Sequence, residues 1–81
     1  MPSTPPPDWV LVRRRVIGDH IRAARLYANL TQEKLAELAG MDRQAINRIE
    51  QGHASPLLDN LIRITDALDV DLELVRRPAA G

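Results

Sequence analysis

Residues 31 to 52, TQEKLAELAGMDRQAINRIEQG, decide the fold that this chain can adopt. The stretch contains two short segments with apolar residues at helical spacing, separated by Gly40. The apolar side of the first segment comprises Leu35, Ala36, Leu38 and Ala39, and that of the second comprises Ala45, Ile46 and Ile49. Two amphipathic helices joined by a tight turn have the shape of a helix-turn-helix.

The opposite side of the second segment is polar. It carries Arg43, Gln44, Asn47, Arg48 and Gln51. In the major groove of DNA, Arg forms paired hydrogen bonds with guanine, and Asn or Gln forms them with adenine. Such residues more often form a plain solvated helix surface, but within this framework the pattern favours contact with double-stranded DNA.

Cap residues mark the ends of both segments. The side chains of Thr31 and Asp42 can accept hydrogen bonds from the first turn of a helix. Gly40 and Gly52 tolerate the left-handed conformation that ends one. The sequence therefore predicts one helix on each side of the turn.

Two further helices are predicted, one before this stretch and one after it. A long first helix is favoured from Asp8 to a stop at Asn29, and its apolar side would comprise Val10, Ile17, Ile21, Ala24 and Ala28. An extended arm at residues 9 to 12 is the alternative for its start. Ser55 and Pro56 predict the start of a fourth helix, with an apolar stripe of Leu58, Leu61, Ile62, Thr65 and Leu68.

Residues 70 to 74 alternate apolar and acidic side chains, which is the periodicity of a β-strand. A lone strand is unstable, so its partner would be the same segment of a second subunit or the arm at residues 9 to 12. A short fifth helix is the alternative. The expected fold is therefore all-α, a compact bundle of four to five helices with a short C-terminal strand as an added feature.

Length and composition limit the kind of protein. The 81 residues are enough for one domain, predicted at residues 8 to 76 between disordered tails at residues 1 to 7 and 77 to 81. The chain has no Cys, and its two His are far apart, so we expect neither a disulfide nor a metal site. No apolar run could span a membrane and the N-terminus does not resemble a secretion signal. We expect the chain in the bacterial cytoplasm, at the nucleoid.

The net charge is zero, but the charges are unevenly distributed. Residues 1 to 55 hold eight basic and six acidic side chains, whereas residues 56 to 81 hold three basic and five acidic ones. A DNA-facing surface is therefore expected in the first two thirds of the chain. The modest excess favours recognition through base contacts and dimer geometry over binding driven by charge alone.

Catalysis is not expected. The candidate nucleophiles, such as Ser3 and Ser55, have no base placed beside them in the sequence, and the chain lacks a glycine-rich phosphate loop. We therefore predict no enzymatic activity and no cofactor.

From about Ile17 to Val75 the chain resembles the phage-repressor and Cro type of helix-turn-helix protein, also called the xenobiotic response element family. The resemblance rests on Arg25 in the first helix, LTQEKLA at residues 30 to 36, Gly40 and Met41 at the turn, RIEQG at residues 48 to 52, and Pro56 before LIRITDALDV. It implies a lambda-repressor-like bundle whose third helix lies in the major groove. In dimers of this type, two half-sites about 34 Å apart are bound.

The resemblance also implies roles for individual residues. Gln32 would contact a phosphate together with nearby backbone N–H groups. Arg43 and Gln44 would contact bases at the start of the recognition helix, and Asn47 and Arg48 would do so one turn later. Arg25 and Glu50 would form a structural ion pair between the first and third helices.

Three functions fit these expectations. The favoured one is a sequence-specific DNA-binding transcriptional regulator, a repressor that binds an inverted-repeat operator as a homodimer. The second is the antitoxin of a toxin–antitoxin pair, suggested by the strand-like residues 70 to 75, in which the chain binds DNA and a toxin partner. The third is a protein-interaction adaptor that has the fold without DNA binding.

Overall fold

A computed structural model describes residues 4 to 79 as four helices: α1 (Asp8–Tyr27), α2 (Gln32–Ala39), α3 (Arg43–Glu50) and α4 (Leu58–Ala67). Helix α2 packs against both α3 and α4, and α1 packs against α3. The predicted all-α bundle is confirmed, with four helices in the described residues. The predicted disordered tails lie partly outside these residues, and the domain boundaries stay a prediction.

The core is aliphatic and small. Its three completely buried large side chains are Leu35, Ile46 and Ile64, which come from α2, α3 and α4. Ile21 of α1 and Leu68 after α4 are also buried, and Leu30 and Met41 pack at the edge. Helices α2 and α3 are therefore held in place mainly by burial of apolar surface, since eight-residue helices are not stable alone.

Helix α1 begins directly after the prolines. Residues 9 to 12 are helical, so the alternative of an extended arm is wrong. Pro7 is the N-cap residue and its carbonyl oxygen accepts hydrogen bonds from the N–H groups of Val10 and Leu11, whereas Asp8 is already the first helical residue. The helix does not begin earlier because each proline lacks the N–H group and disfavours a helical conformation of the residue before it.

The predicted apolar sides of the helices need correction at five positions. On α1, Ile17 is 49% exposed and Ala28 is also exposed. Leu38 is 53% exposed, because α2 turns Leu35, Ala36 and Ala39 toward the core instead. On α4, Leu58 and Ile62 are exposed, and the buried position is Ile64, which the predicted stripe omitted.

Helix α4 also begins later than predicted, at Leu58 instead of near Ser55 and Pro56. Residues 53 to 57 form a loop in which Ala54 packs against the core. Leu57 then occupies the N-cap position in an extended conformation, without a side-chain cap. The loop thus places α4 against α2 before the helix starts.

The predicted C-terminal strand is absent from the described part of the chain. Residues 70 to 79 form neither strand nor helix, and Leu74 is fully exposed. A strand requires a hydrogen-bonded partner. The only candidate partner within one chain was the arm at residues 9 to 12, which is part of α1.

Candidate nucleic-acid interface

Helix α3 presents a polar face to solvent. Its apolar and acidic residues Ile46, Ile49 and Glu50 are buried, and the exposed side carries the remaining polar residues. This polar face of α3 consists of Arg43, Gln44, Asn47, Arg48 and Gln51, of which only Asn47 is half-buried. Four of them, Arg43, Gln44, Asn47 and Arg48, line a shallow depression of about 270 Å³. The predicted base-contacting residues therefore lie together on one accessible surface.

The orientation of α3 is set by the turn that precedes it. Gly40 adopts a left-handed conformation with φ of 69°, and the N–H group of Met41 donates to the Ala36 carbonyl oxygen at 2.8 Å. Asp42 then caps α3, since its Oδ1 accepts a hydrogen bond of 2.8 Å from the N–H group of Ala45. These local bonds close the turn tightly and leave α3 little freedom relative to α2.

The N-terminus of α2 has the caps and free donors that an anion needs. Thr31 Oγ1 accepts from the N–H group of Lys34 at 3.0 Å, and the Thr31 carbonyl oxygen accepts from that of Leu35. The N–H groups of Gln32 and Glu33 have no partner among residues 4 to 79. Unpaired N–H groups at a helix N-terminus can bind a phosphate.

A buried ion pair joins α1 to α3. The Arg25 guanidinium donates to both carboxylate oxygens of Glu50, over 2.7 Å from Nε and 2.9 Å from Nη2, and its Nη1 donates to the Leu30 carbonyl oxygen at 2.9 Å. Arg25 is 8% exposed and Glu50 is 3% exposed. Arg25 and Glu50 are thus paired as the family resemblance implied. Every buried side-chain nitrogen and oxygen atom in the described residues has a hydrogen-bond partner.

The same pair determines how Arg25 titrates. The hydrogen bonds to Glu50 raise the pKa of Arg25 above its ordinary value, although burial acts in the opposite direction. A raised pKa stabilises the folded state below the ordinary pKa, and this contribution is lost only as the pH rises through the folded-state value. Arg25 therefore stays charged and paired at every pH near neutrality.

Gln32 and Asn47 are in contact with each other. The Gln32 Nε2 group donates to Asn47 Oδ1 at 3.2 Å and to Glu50 Oε1 at 3.1 Å. Both amide hydrogens of Gln32 are used in these bonds, so the side chain orients Asn47 and supports Glu50. A phosphate contact from Gln32 requires the exchange of one of these bonds, whereas the Asn47 Nδ2 group is not used by them.

Two arginine side chains hold the loop after α3, a role that the sequence did not indicate. Arg14 Nε donates to the Gly52 carbonyl oxygen at 2.9 Å, and Arg48 Nη2 donates to the His53 carbonyl oxygen at 3.3 Å. Gly18 lies where α1 crosses the end of α3, and a Cβ placed on it would overlap the Ile49 carbonyl oxygen and lie 2.6 Å from that of Glu50. A glycine in the middle of a helical pattern was the one available signal, because such a residue often marks a close approach.

The described residues contain neither a cluster of metal-ligating side chains nor a membrane-spanning helix. No group of three or more His, Cys, Asp or Glu side chains lies close enough together to hold a metal ion. None of the four helices combines the length and the apolar character that crossing a membrane requires.

Comparison with known proteins gives consistent matches. Residues 21 to 75 match the model of the helix-turn-helix family HTH_3. The control protein C.SmaI of Serratia marcescens is 30% identical over 59 residues, which make up 73% of this chain and 70% of that protein.

Solved structures also resemble this chain. The restriction-modification controller protein C.AhdI from Aeromonas hydrophila has a TM-score of 0.74 and 31% identity, over 75% of this chain and 88% of that one. The P22 c2 repressor protein, solved in complex with synthetic operator 9T, has a TM-score of 0.65 and 29% identity, over 68% of this chain and 83% of that one. These matches include both a controller and a repressor.

Proposed function

This chain belongs to the helix-turn-helix family HTH_3 of transcriptional regulators, and from that premise we propose that it is a repressor that binds a specific operator. It acts as a homodimer on an inverted repeat, without enzymatic activity. The observation that carries the proposal is the polar face of α3, where four potential base-contacting side chains share one open depression. The aliphatic core and the two caps hold this face rigidly, so its side chains meet DNA in a preorganised arrangement.

Each side chain of the polar face has a chemical role in this proposal. Arg43 and Arg48 suit guanine, and Gln44 suits adenine, because each can form two hydrogen bonds with one base edge. Asn47 offers its Nδ2 group while Gln32 holds its Oδ1. The free N–H groups of Gln32 and Glu33 bind a phosphate and fix the register of α3 in the groove.

The size of α3 supports the homodimer. Eight helical residues extend about 12 Å, which is the length of only three to four base pairs. One copy can therefore distinguish few sequences, whereas two copies on half-sites about 34 Å apart multiply the discrimination. The inverted repeat follows from the two-fold symmetry that most homodimers have.

The antitoxin alternative depended on a C-terminal strand. Residues 70 to 79 form none in the single chain, and no other observation in the described residues favours a toxin partner. The repressor proposal is therefore the better supported of the two.

Single substitutions on the polar face test the base contacts. Gln44→Ala or Arg48→Ala is expected to weaken binding to the selected operator by about 1 to 3 kcal/mol, because each removes a paired hydrogen bond to one base. Binding to random DNA of equal length should change little. Both affinities can be measured by fluorescence anisotropy at one salt concentration.

Arg63→Ala provides the control for lost positive charge. Arg63 is exposed on α4 and does not belong to the polar face of α3. We expect this variant to bind operator and random DNA as the unmodified chain does. Equal losses on operator and random DNA in the Gln44 and Arg48 variants would exclude them as base-contacting residues.

A further inference from the structure

A second depression, of about 380 Å³, lies beside the polar face of α3. It is lined by Arg15, Asp19 and Arg22 of α1, by Glu50 and Gln51 at the end of α3, and by His53 of the following loop. We refer to it as the flank depression. Gln51 belongs both to the polar face of α3 and to the flank depression, so the two surfaces are continuous.

The flank depression is positioned by direct backbone contact between α1 and the end of α3. A Cβ on Gly52 would lie 2.8 Å from the Cα of Arg15, and a Cβ on Gly18 would lie 2.6 Å from the Glu50 carbonyl oxygen. The Arg14 bond to the Gly52 carbonyl oxygen fixes the same contact. Arg15 and Arg22 therefore keep a defined place next to α3.

The charges of the flank depression favour an anion. Arg15 and Arg22 are exposed, and neither has an acidic side chain within ion-pair distance in residues 4 to 79. The Glu50 carboxylate is already paired with Arg25, so Asp19 is the one acidic side chain of the depression that remains unpaired there. Two free guanidinium groups thus outweigh one carboxylate.

We propose that α1 contacts the DNA backbone through the flank depression, where Arg15 and Arg22 bind phosphates next to the bases that α3 contacts. The proposal rests on the proposed function, since it extends the same DNA-binding surface. Of the residues in this proposed contact, Arg15 and Asp19 precede residues 21 to 75, which match the family model, whereas Arg22 lies within them. Gln51 and His53 complete the lining of the depression with polar side chains.

The test compares three arginines of one helix. Each phosphate contact adds about 0.9 to the slope of log affinity against log salt, so Arg15→Gln with Arg22→Gln should reduce the slope by about 2 on both operator and random DNA. Arg13→Gln is the matched control, because Arg13 lines a separate apolar groove with Val10 and Ile17. The slope of log affinity against log salt should fall by less than about 0.5 in this variant. Far-ultraviolet circular dichroism verifies that all variants are folded.

Asp19→Asn provides a test with the opposite sign. Removal of the carboxylate between the two arginines should raise affinity for both kinds of DNA about two- to fivefold, because it lowers repulsion of the phosphates. A purely structural role of Arg15 and Arg22 predicts no such gain.

The outcomes separate this proposal from the one on which it rests. If the unmodified chain selects no specific sequence, both fail. If it does select one, but the double variant keeps the slope of Arg13→Gln and Asp19→Asn gains nothing, the flank depression is not a phosphate site and the repressor proposal stands.

Discussion

Replacement of Glu50 by alanine is expected to lower the free energy of unfolding by about 3 to 5 kcal/mol, because it leaves a buried guanidinium without its carboxylate. Arg25 is 8% exposed and donates two hydrogen bonds to Glu50, and Gln32 donates a third. Domains of this size have only about 5 to 15 kcal/mol of stability. Urea denaturation monitored by circular dichroism gives the change.

Two further variants make the Glu50 result interpretable. Glu50→Gln keeps the shape of the side chain and one hydrogen-bond acceptor. Its free energy of unfolding should therefore lie between that of the unmodified chain and that of Glu50→Ala. Glu37→Ala removes a carboxylate from an exposed pair with Lys34, at 3.7 Å, and should leave the urea midpoint nearly unchanged. A Glu50→Ala variant as stable as Glu37→Ala would contradict the structural role of the buried pair.

Gly18→Ala is expected to destabilise the fold by about 2 kcal/mol or more, although alanine is the better helix former. The added methyl group would overlap the backbone of α3 at Ile49 and lie 2.6 Å from the Glu50 carbonyl oxygen. Since both partners are helix backbones, relief requires that α1 move away from α3. That movement would also weaken the Arg25–Glu50 pair, so thermal and urea unfolding should both report the loss.

Helix propensity alone predicts the opposite sign. It would make Gly18→Ala more stable by about 0.5 to 1 kcal/mol. The matched control is Ala23→Gly at an exposed position of α1, which should lose only about 1 kcal/mol through propensity. A stabilised Gly18→Ala variant would contradict the close approach of α1 and α3.

The elements that could be predicted are those fixed by local chemistry. Thr31 and Asp42 cap the N-termini of α2 and α3, and Gly40 ends α2, as their cap preferences require. Asn29 adopts the left-handed conformation with φ of 58° after α1. Helix caps and turns depend on a few neighbouring residues, so sequence spacing is enough to predict them. The polar face of α3 belongs to the same class, because helical periodicity places its residues on one side.

The wrong predictions concern features that depend on contacts between residues far apart in the sequence. Whether Leu38 or Ile64 is buried depends on which neighbours cover α2 and α4, and helical spacing leaves several apolar positions as candidates. The strand at residues 70 to 74 failed because its periodicity says nothing about whether a partner strand exists. The close approach at Gly18 likewise depends on the crossing of two helices.

In the candidate site, too, some features follow from local sequence and others depend on contacts between helices. The positions of Arg43, Gln44 and Arg48 follow from helix geometry, whereas the bonds that tie Gln32 to Asn47 and Glu50 join α2 to α3 across their interface. Arg15 and Arg22 come next to α3 only because α1 crosses its end. A sequence pattern cannot provide that crossing.

We propose that two copies of α3 contact the bases of one inverted-repeat operator, and the repressor function depends on this claim. The most direct measurement is selection of bound genomic fragments with the full chain, followed by hydroxyl-radical footprinting of the enriched sequence. We expect one enriched inverted repeat, protected in two half-sites whose centres are about 34 Å apart on the duplex. Fragments enriched without a shared sequence, or one protected site without symmetry, would contradict the claim.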